Sequence, residues 1–122
     1  MSLPPGSGDQ PYAWLTTTGR RSGQPRTVEL WFALRDTTAL FLAGGGESTH
    51  WVQNALVDPR VRLRLDSTEY PGVARAPAAA SAEDRYTRQA LAAKYQGWRD
   101  GQPLSRWATG SFCLAVDLAV PE

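Results

Sequence analysis

Apolar and polar residues alternate along several short runs of this chain, as they do in half-buried strands. The run 12–18 (YAWLTTT) ends in β-branched residues, and 26–34 (RTVELWFAL) carries the strongest strand pattern. The run 61–65 (VRLRL) alternates strictly, which predicts one buried face and one face that carries arginines. Pro71 places the weaker run 70–76 at a sheet edge or a bulge. Six strands are predicted, at 12–18, 26–34, 39–44, 61–65, 70–76 and 111–120.

Two segments between these strands have helical character. In 48–59, Ser48 or Thr49 can cap a short helix, and the Asp-Pro pair at 58–59 ends it. A second helix is predicted from Ser81 to Gly97, with a capping box that uses Asp84 where Glu is usual. The residues predicted to face inward are Trp51, Ala55 and Leu56 in the first helix, and Tyr86, Ala90, Leu91, Ala93 and Tyr95 in the second.

The order of elements favours a mainly β (α+β) fold. Short turns between neighbouring strands predict antiparallel pairing, and a short chain dominated by strands is expected to curl into a small barrel. A doubly wound parallel sheet would need more crossover helices than the pattern offers. We expect residues 12–122 to form this single domain, and the Pro/Gly/Ser-rich residues 1–11 to be a disordered tail.

Composition narrows the classes of function. At 122 residues and a net charge of +1, the chain fits one domain with no general attraction to nucleic acid. Cys113 is the only cysteine, so no internal disulfide can form; with no signal peptide visible, we expect a cytoplasmic protein. No apolar run is long enough to span a bilayer, and one histidine makes a zinc site a poor expectation.

The segment between the first two predicted strands concentrates positive charge. Three arginines and a serine fall within seven residues, and Gly19 and Gly23 let the backbone approach a ligand closely. Guanidinium groups, a hydroxyl and exposed amides together are typical of an anion site. The alternative is a solvated hairpin loop that only carries charge. The four side chains are those of Arg20, Arg21, Ser22 and Arg26.

Other candidate groups each have a structural alternative. His50 could act as a general acid or bind a ligand oxygen, or could be a cap partner or surface residue. No Gly-x-Ser-x-Gly elbow supports a hydrolase, and the glycines at 44–46 lack the spacing of a dinucleotide fingerprint. The arginines at 60, 62 and 64 could contact a polyanion or could cover the outside of a strand. Tyr86, Tyr95, Trp98 and Trp107 could wall an aromatic pocket or pack in the core.

Two stretches, LTTTGRRSGQPRTVELWF (15–32) and GGGESTHWVQNALVDPRVRLRL (44–65), resemble the deazaflavin (F420)-dependent nitroreductase family. That family belongs to the split β-barrel, pyridoxamine-phosphate-oxidase-like flavin-binding superfamily. The likeness runs from about Trp14 to Val116. It implies a split β-barrel of about six antiparallel strands with two helices, and an oxidoreductase that passes hydride from reduced F420 to a small unsaturated, quinone or nitro acceptor.

The resemblance also implies where the coenzyme lies. The basic segment would face its phosphate and acidic tail, the second strand would run along its ring, and the loop after the third strand would form the next wall. Trp51 and Asn54 would close the phosphate end, and Tyr95 and Trp98 would lie beside the acceptor. The full set for the coenzyme is Arg20, Arg21, Ser22, Gly23, Arg26, Thr27, Val28, Glu29, Ala43, Gly44, Gly45, Gly46, Ser48, Trp51 and Asn54.

Two rivals to this function stay open at the level of sequence. One is an FMN-binding reductase of the same fold, and the other is a non-catalytic module that carries a flavin-like or other anionic ligand. This chain also departs from the family, because Glu47 lies in the loop where members often have a lysine. A homodimer is compatible with a small barrel that has exposed strand edges.

Overall fold

The structure, a computed structural model, describes residues 2–121. Seven strands form one antiparallel sheet, and three α-helices and a 3₁₀ helix at Ser7–Asp9 accompany it. The strands are β1 Ala13–Thr18, β2 Pro25–Leu30, β3 Ala33–Arg35, β4 Thr38–Ala43, β5 Arg60–Leu65, β6 Thr68–Arg75 and β7 Phe112–Leu118. The helices are α1 His50–Val57, α2 Ala82–Gln96 and α3 Arg106–Gly110.

The sheet order explains why the strands form a barrel. Neighbours follow the order β2-β1-β5-β6-β7-β4-β3, so that β2 and β3 lie at opposite edges of the sheet. Only Trp31 and Phe32 join those two strands, and two residues reach only about 7 Å. The sheet must therefore curl until its edges meet at this corner. The mainly β, split-barrel fold predicted from the sequence is confirmed.

The predicted strand 26–34 is two strands, which raises the count from six to seven. The chain bends at Trp31-Phe32, where the Phe32 side chain is fully buried. Groups on α2 replace the missing ladder partners: Phe32 N donates to Tyr95 Oη at 3.1 Å, and Lys94 Nζ donates to Phe32 O at 3.0 Å. An alternating pattern does not report such a corner, because the side chains keep their inward and outward order across it.

The alternation predicted for 61–65 is confirmed, with Val61, Leu63 and Leu65 buried and the arginines exposed. These residues join the inward side chains of β1, β4 and β7 in the main core. β4 and β7 are buried on both faces, because α2 packs against the side that turns away from the barrel.

Helix α1 differs from its prediction in the face it buries. Thr49 occupies the N-cap position, but Leu56 is 37% exposed and does not face inward. Val52, Asn54 and Ala55 are the buried residues instead. Asn54 can take a core position because its amide has partners there, as described below.

The predicted ends of α2 are confirmed. Ser81 Oγ accepts from Asp84 N, and Gly97 ends the helix with φ +68°. The inward face is wrong in part: Tyr86 and Ala93 are exposed, while the buried stripe is Asp84, Thr87, Leu91 and Ala92. Polar residues fill this stripe because Asp84 pairs with Arg88 and the Thr87 hydroxyl donates to Glu83 O.

Two shorter features complete the described chain. Helix α3 was not predicted, and Ser105 caps it by accepting from Ala108 N at 3.1 Å. Leu3 packs against the core, and Pro11 O accepts from Tyr95 Oη at 2.8 Å. Disorder of residues 1–11 in solution stays a prediction, as does the single-domain boundary; residues 1 and 122 lie outside the described range. No helix within residues 2–121 has the length and apolarity needed to cross a membrane.

Candidate functional site

The basic segment forms the tip of the β1–β2 hairpin. Gly19 N donates to Gln24 O and Gly23 N donates to Gly19 O, both at 2.8 Å, which closes a tight turn. Gly23 has φ +71°, a conformation that favours glycine. A Cβ on Gly19 would lie 2.7 Å from Ser22 Oγ, so a side chain there would displace the hydroxyl that accepts from Gln24 N. Glycine at these two positions thus sets the shape of the tip.

A cavity of about 470 Å³ lies between this tip, strand β2 and the first turns of α1. Its volume falls within the range of roughly 300–1,000 Å³ that small-molecule sites occupy. None of its lining residues is acidic, and three are arginines. Eight of them were predicted from the sequence, and Gly19 and His50 complete the wall. The lining residues are Gly19, Arg20, Arg21, Ser22, Arg26, Thr27, Val28, His50, Trp51 and Asn54.

Arg20 is held in place by α1. Asn54 Oδ1 accepts from Arg20 N at 3.2 Å and from Arg20 Nη1 at 2.8 Å. The Asn54 amide is 5% exposed, and its Nδ2 donates to Thr17 Oγ1 at 3.4 Å. Arg20 Nη2 lies 3.2 Å from His50 Nδ1. Because the guanidinium has only donors, Nδ1 must accept, which leaves the neutral ring with its proton on Nε2.

The other two arginines of the tip keep their donors available. Arg26 Nη2 makes one long bond, 3.4 Å to Ser22 Oγ, which also accepts from Gln24 N. Arg21 is exposed and donates to no side chain or backbone group among residues 2–121. No carboxylate of the described chain pairs with either of them or with Arg20. Such a set of donors without counter-charge suits a phosphate or carboxylate ligand.

The remaining predicted coenzyme residues lie outside the wall of this cavity. Glu29 pairs with Trp14 on the outward face of β2, and Gly23 is at the tip. Ala43 is buried beside Phe112 at the end of β4. The residues Gly44, Gly45, Gly46 and Ser48 form the link from β4 to α1. Their role toward a ligand stays a prediction.

That link is shaped by close contacts. Thr49 Oγ1 donates to Gly46 O at 2.7 Å, and Gly46 has φ +80°. A Cβ on Gly45 would lie 2.7 Å from Thr49 Oγ1, and one on Gly44 would lie 3.0 Å from Trp107 Nε1. The glycines therefore let two side chains pack directly against the backbone before α1 begins.

An aromatic cluster lies at the other end of β2. Trp31 stacks on Tyr95 with ring centroids 4.4 Å apart, and it meets Trp107 edge-on at 5.4 Å. Burial raises the pKa of Tyr95 and lowers the pKa of Lys94 to about 8. Of the two predicted acceptor residues, Tyr95 is in this cluster, whereas Trp98 Nε1 donates to Gln102 O within its own loop.

Sequence reasoning missed Thr17 and Trp31 and left two interpretations of Trp107 open. Thr17 orients Asn54, and the only available signal was a polar residue on the buried face of an alternating strand. Trp31 was assigned to the interior of one long strand, but it is 38% exposed at the corner. Trp107 was considered only as one of several aromatics, because α3 was not predicted.

Comparison with known proteins decides the family. The model of the F420H(2)-dependent quinone reductase family matches residues 7–104. The chain belongs to this family. It is therefore an F420H2-dependent oxidoreductase, which confirms the activity and the coenzyme that the resemblance implied.

Solved structures agree on the fold of this reductase. An F420 reductase is 20% identical, with 97% of each chain covered and a TM-score of 0.65. An F420-H2 dependent reductase (FDR-A) is also 20% identical, with 90% of this chain and 95% of that chain covered and a TM-score of 0.64. An FAD-binding protein from Mesorhizobium loti is 14% identical, with 98% and 93% covered and a TM-score of 0.67. Likeness at these identities shows the fold alone.

Proposed function

We propose that the cavity at the hairpin tip binds the phosphate and carboxylate groups of F420. The observation that supports this proposal is that Arg20, Arg21 and Arg26 line the cavity together and no lining residue carries a carboxylate. Elsewhere, the arginines of β5 and β6 at positions 60, 62 and 75 are paired with acidic residues. The donor set therefore fits an anionic coenzyme, and a bound anion would complete it.

We propose further that the coenzyme ring lies along β2. Val28 and Trp51 both line the cavity beside the tip. Trp31 follows Arg26 by five residue steps, a span of about 16 Å in extended chain. The distance leaves room for a flat heterocycle between the charged tip and the aromatic cluster. The glycines at 44–46 would let the opposite wall approach it closely.

Reduced F420, when bound, supplies the hydride for the reaction. The protein's own part is to fix the donor and acceptor in contact and to limit water around them. Arg20 is preorganised for this by Asn54 and His50, so little side-chain freedom is lost on binding. The stacked pair of Trp31 and Tyr95 offers a flat apolar surface for a conjugated or quinone-like acceptor.

Steady-state assays test this function. We expect the protein to oxidise F420H2 in the presence of menadione, a small quinone; binding of F420 without turnover would favour the carrier alternative. FMN is tested by thermal denaturation. A coenzyme present at about a hundred times its Kd should add about 2.7 kcal/mol to the stability. We expect F420 to raise the melting temperature and FMN to leave it unchanged.

Three further properties stay predictions. A homodimer is supported by the exposed apolar residues Val57, which is 64% exposed, and Val73, which is 53% exposed, near the β5–β6 surface. Light scattering at several protein concentrations would test it. The near-zero net charge supports the absence of a nucleic-acid partner, and the single cysteine supports a cytoplasmic location.

A further inference from the structure

Two side chains in the region of the aromatic cluster donate hydrogen bonds that hold the corner of the barrel. The Tyr95 hydroxyl donates to Pro11 O and accepts from Phe32 N. Lys94 Nζ donates to Phe32 O. The Tyr95 proton is therefore committed to the backbone, and the Lys94 ammonium lies over the Phe32 ring, 3.8 Å from its centroid. The indole N–H groups are the other side-chain donors of the cluster.

Two indole N–H groups of the cluster, those of Trp31 and Trp107, have no hydrogen-bond partner among residues 2–121. Every buried side-chain nitrogen and oxygen in that range does have a partner. The Trp107 side chain is half-buried, so its unpartnered N–H must reach solvent. A buried apolar ring with an accessible polar edge is suited to hold a ligand that has both a ring and an oxygen.

The Trp107 N–H lies against the link from β4 to α1. A Cβ on Gly44 would lie 3.0 Å from Nε1 and 3.1 Å from Cδ1, so the polar edge of the indole lies against the glycine link. The same indole meets Trp31 at 5.4 Å. Trp107 thus contacts both the β2–β3 corner and the link from β4 to α1, at the end of β2 opposite the basic tip. Trp107 also lies beyond residues 7–104, which the family model matches.

We infer that Trp107 binds the acceptor, with its indole N–H donating to a carbonyl or nitro oxygen of that molecule. This inference rests on the proposed location of the coenzyme. Hydride transfer to a quinone leaves negative charge on a carbonyl oxygen, which later takes a proton from solvent. A fixed N–H donor near that oxygen stabilises the charge as it develops. Trp107 donates a hydrogen bond here and gives up no proton.

Replacement of the indole by a ring without an N–H tests this. In Trp107→Phe we expect kcat/KM for menadione to fall about tenfold, as for the loss of a hydrogen bond to a charged group, while the Kd for F420 stays unchanged. The matched control is Trp14→Phe, because the Trp14 ring lies under the Arg64 guanidinium on the outer face of the barrel. We expect that control to keep wild-type kcat/KM. Equal values for the two variants would overturn the inference.

A second measurement uses the unaltered protein and needs no turnover. The five tryptophans give indole ¹H–¹⁵N resonances, which can be followed as menadione is added to protein saturated with oxidised F420. We expect the Trp107 resonance to move downfield and the resonance of Trp14, on the outer face, to stay. A stationary Trp107 resonance would overturn the inference even if Trp107→Phe did not fold. Failure of F420 to bind the wild type would instead count against the proposed function.

Discussion

The arginines of the hairpin tip and the arginine on β6 differ in what faces them. Arg75 donates to both oxygens of Glu83 and to both oxygens of Asp117, and Thr38 donates to Asp117 as well. At the tip, the guanidinium groups meet an amide, an imidazole and a hydroxyl, but no carboxylate of the described chain. The charge of Arg75 is neutralised by two carboxylates, whereas the cavity at the tip keeps an excess of positive charge.

This difference separates stabilising charge from binding charge. The Arg75 cluster joins the first turn of α2 to β6 and β7, and a ligand has nothing to add to it. The contacts at the tip orient the guanidinium group, since Asn54 and His50 hold Arg20 without neutralising its charge. Amide and imidazole partners are suited to this, because they hold a guanidinium and leave its charge to the ligand.

The largest expected effect is at the tip. We predict that Arg26→Ala lowers the affinity for F420 more than tenfold, because a charge-assisted hydrogen bond is worth roughly 1.5–3 kcal/mol. Titration of F420 fluorescence measures it. Arg64→Ala is the control, since Arg64 lies over the Trp14 ring on the outer face. An Arg26→Ala protein that folds and binds F420 with wild-type affinity would remove Arg26 from the site.

The Arg75 cluster, formed with Glu83 and Asp117, is expected to affect stability and not coenzyme affinity. Arg75→Ala should lower the free energy of unfolding by about 1 kcal/mol, a value limited by the partial exposure of the three side chains. The affinity for F420 should stay as in the wild type. Urea denaturation and coenzyme titration on the same preparation measure the two quantities. A loss of affinity with no loss of stability would invert the comparison.

Lowering the pH should weaken the ion pairs of the same Arg75 cluster. The Arg75 hydrogen bonds hold the pKa of Glu83 and of Asp117 below their ordinary values of 4.5 and 3.8. A lowered carboxyl pKa contributes stability above the ordinary value, and that stability is lost as the pH falls through the folded-state value. The stability difference between the wild type and Arg75→Ala should therefore shrink from about pH 6 to about pH 3. A stability difference that does not change with pH would mean that Arg75 stabilises the fold through packing and not through its ion pairs.

The smallest effect is expected at Thr17, which contacts the site only through Asn54. Thr17→Val removes the hydroxyl that orients the Asn54 amide, and we predict a loss of F420 affinity of roughly threefold, since the bond is long. Thr38→Val is the control, because its hydroxyl belongs to the Arg75 cluster. If the two valine variants bind F420 equally well, the Asn54 amide does not depend on Thr17.

Much of this could be predicted from local pattern. The alternation of β5 identified its buried face, and the spacing of Arg20, Arg21 and Arg26 identified the basic tip. What failed was information carried by distant partners. The bend at Phe32 depends on Tyr95 and Lys94, which are more than sixty residues away in sequence. Helix α3 is too short for a periodic signal, so the position of Trp107 could not be predicted either.

The central claim is that the arginines of the hairpin tip bind F420. It is tested most directly by removing equal charge from two faces of the barrel. The inner variant replaces Arg20, Arg21 and Arg26 with Ala, and the outer variant replaces Arg60, Arg62 and Arg64 with Ala; both lose three positive charges. Thermal denaturation checks that each variant folds, and fluorescence titration gives its Kd for F420. We predict that the inner variant binds more than a hundredfold more weakly, as for at least two lost charge-assisted contacts, and the outer variant within about twofold of the wild type. Equal losses in the two variants, or an unchanged Kd in the inner one, would contradict the account.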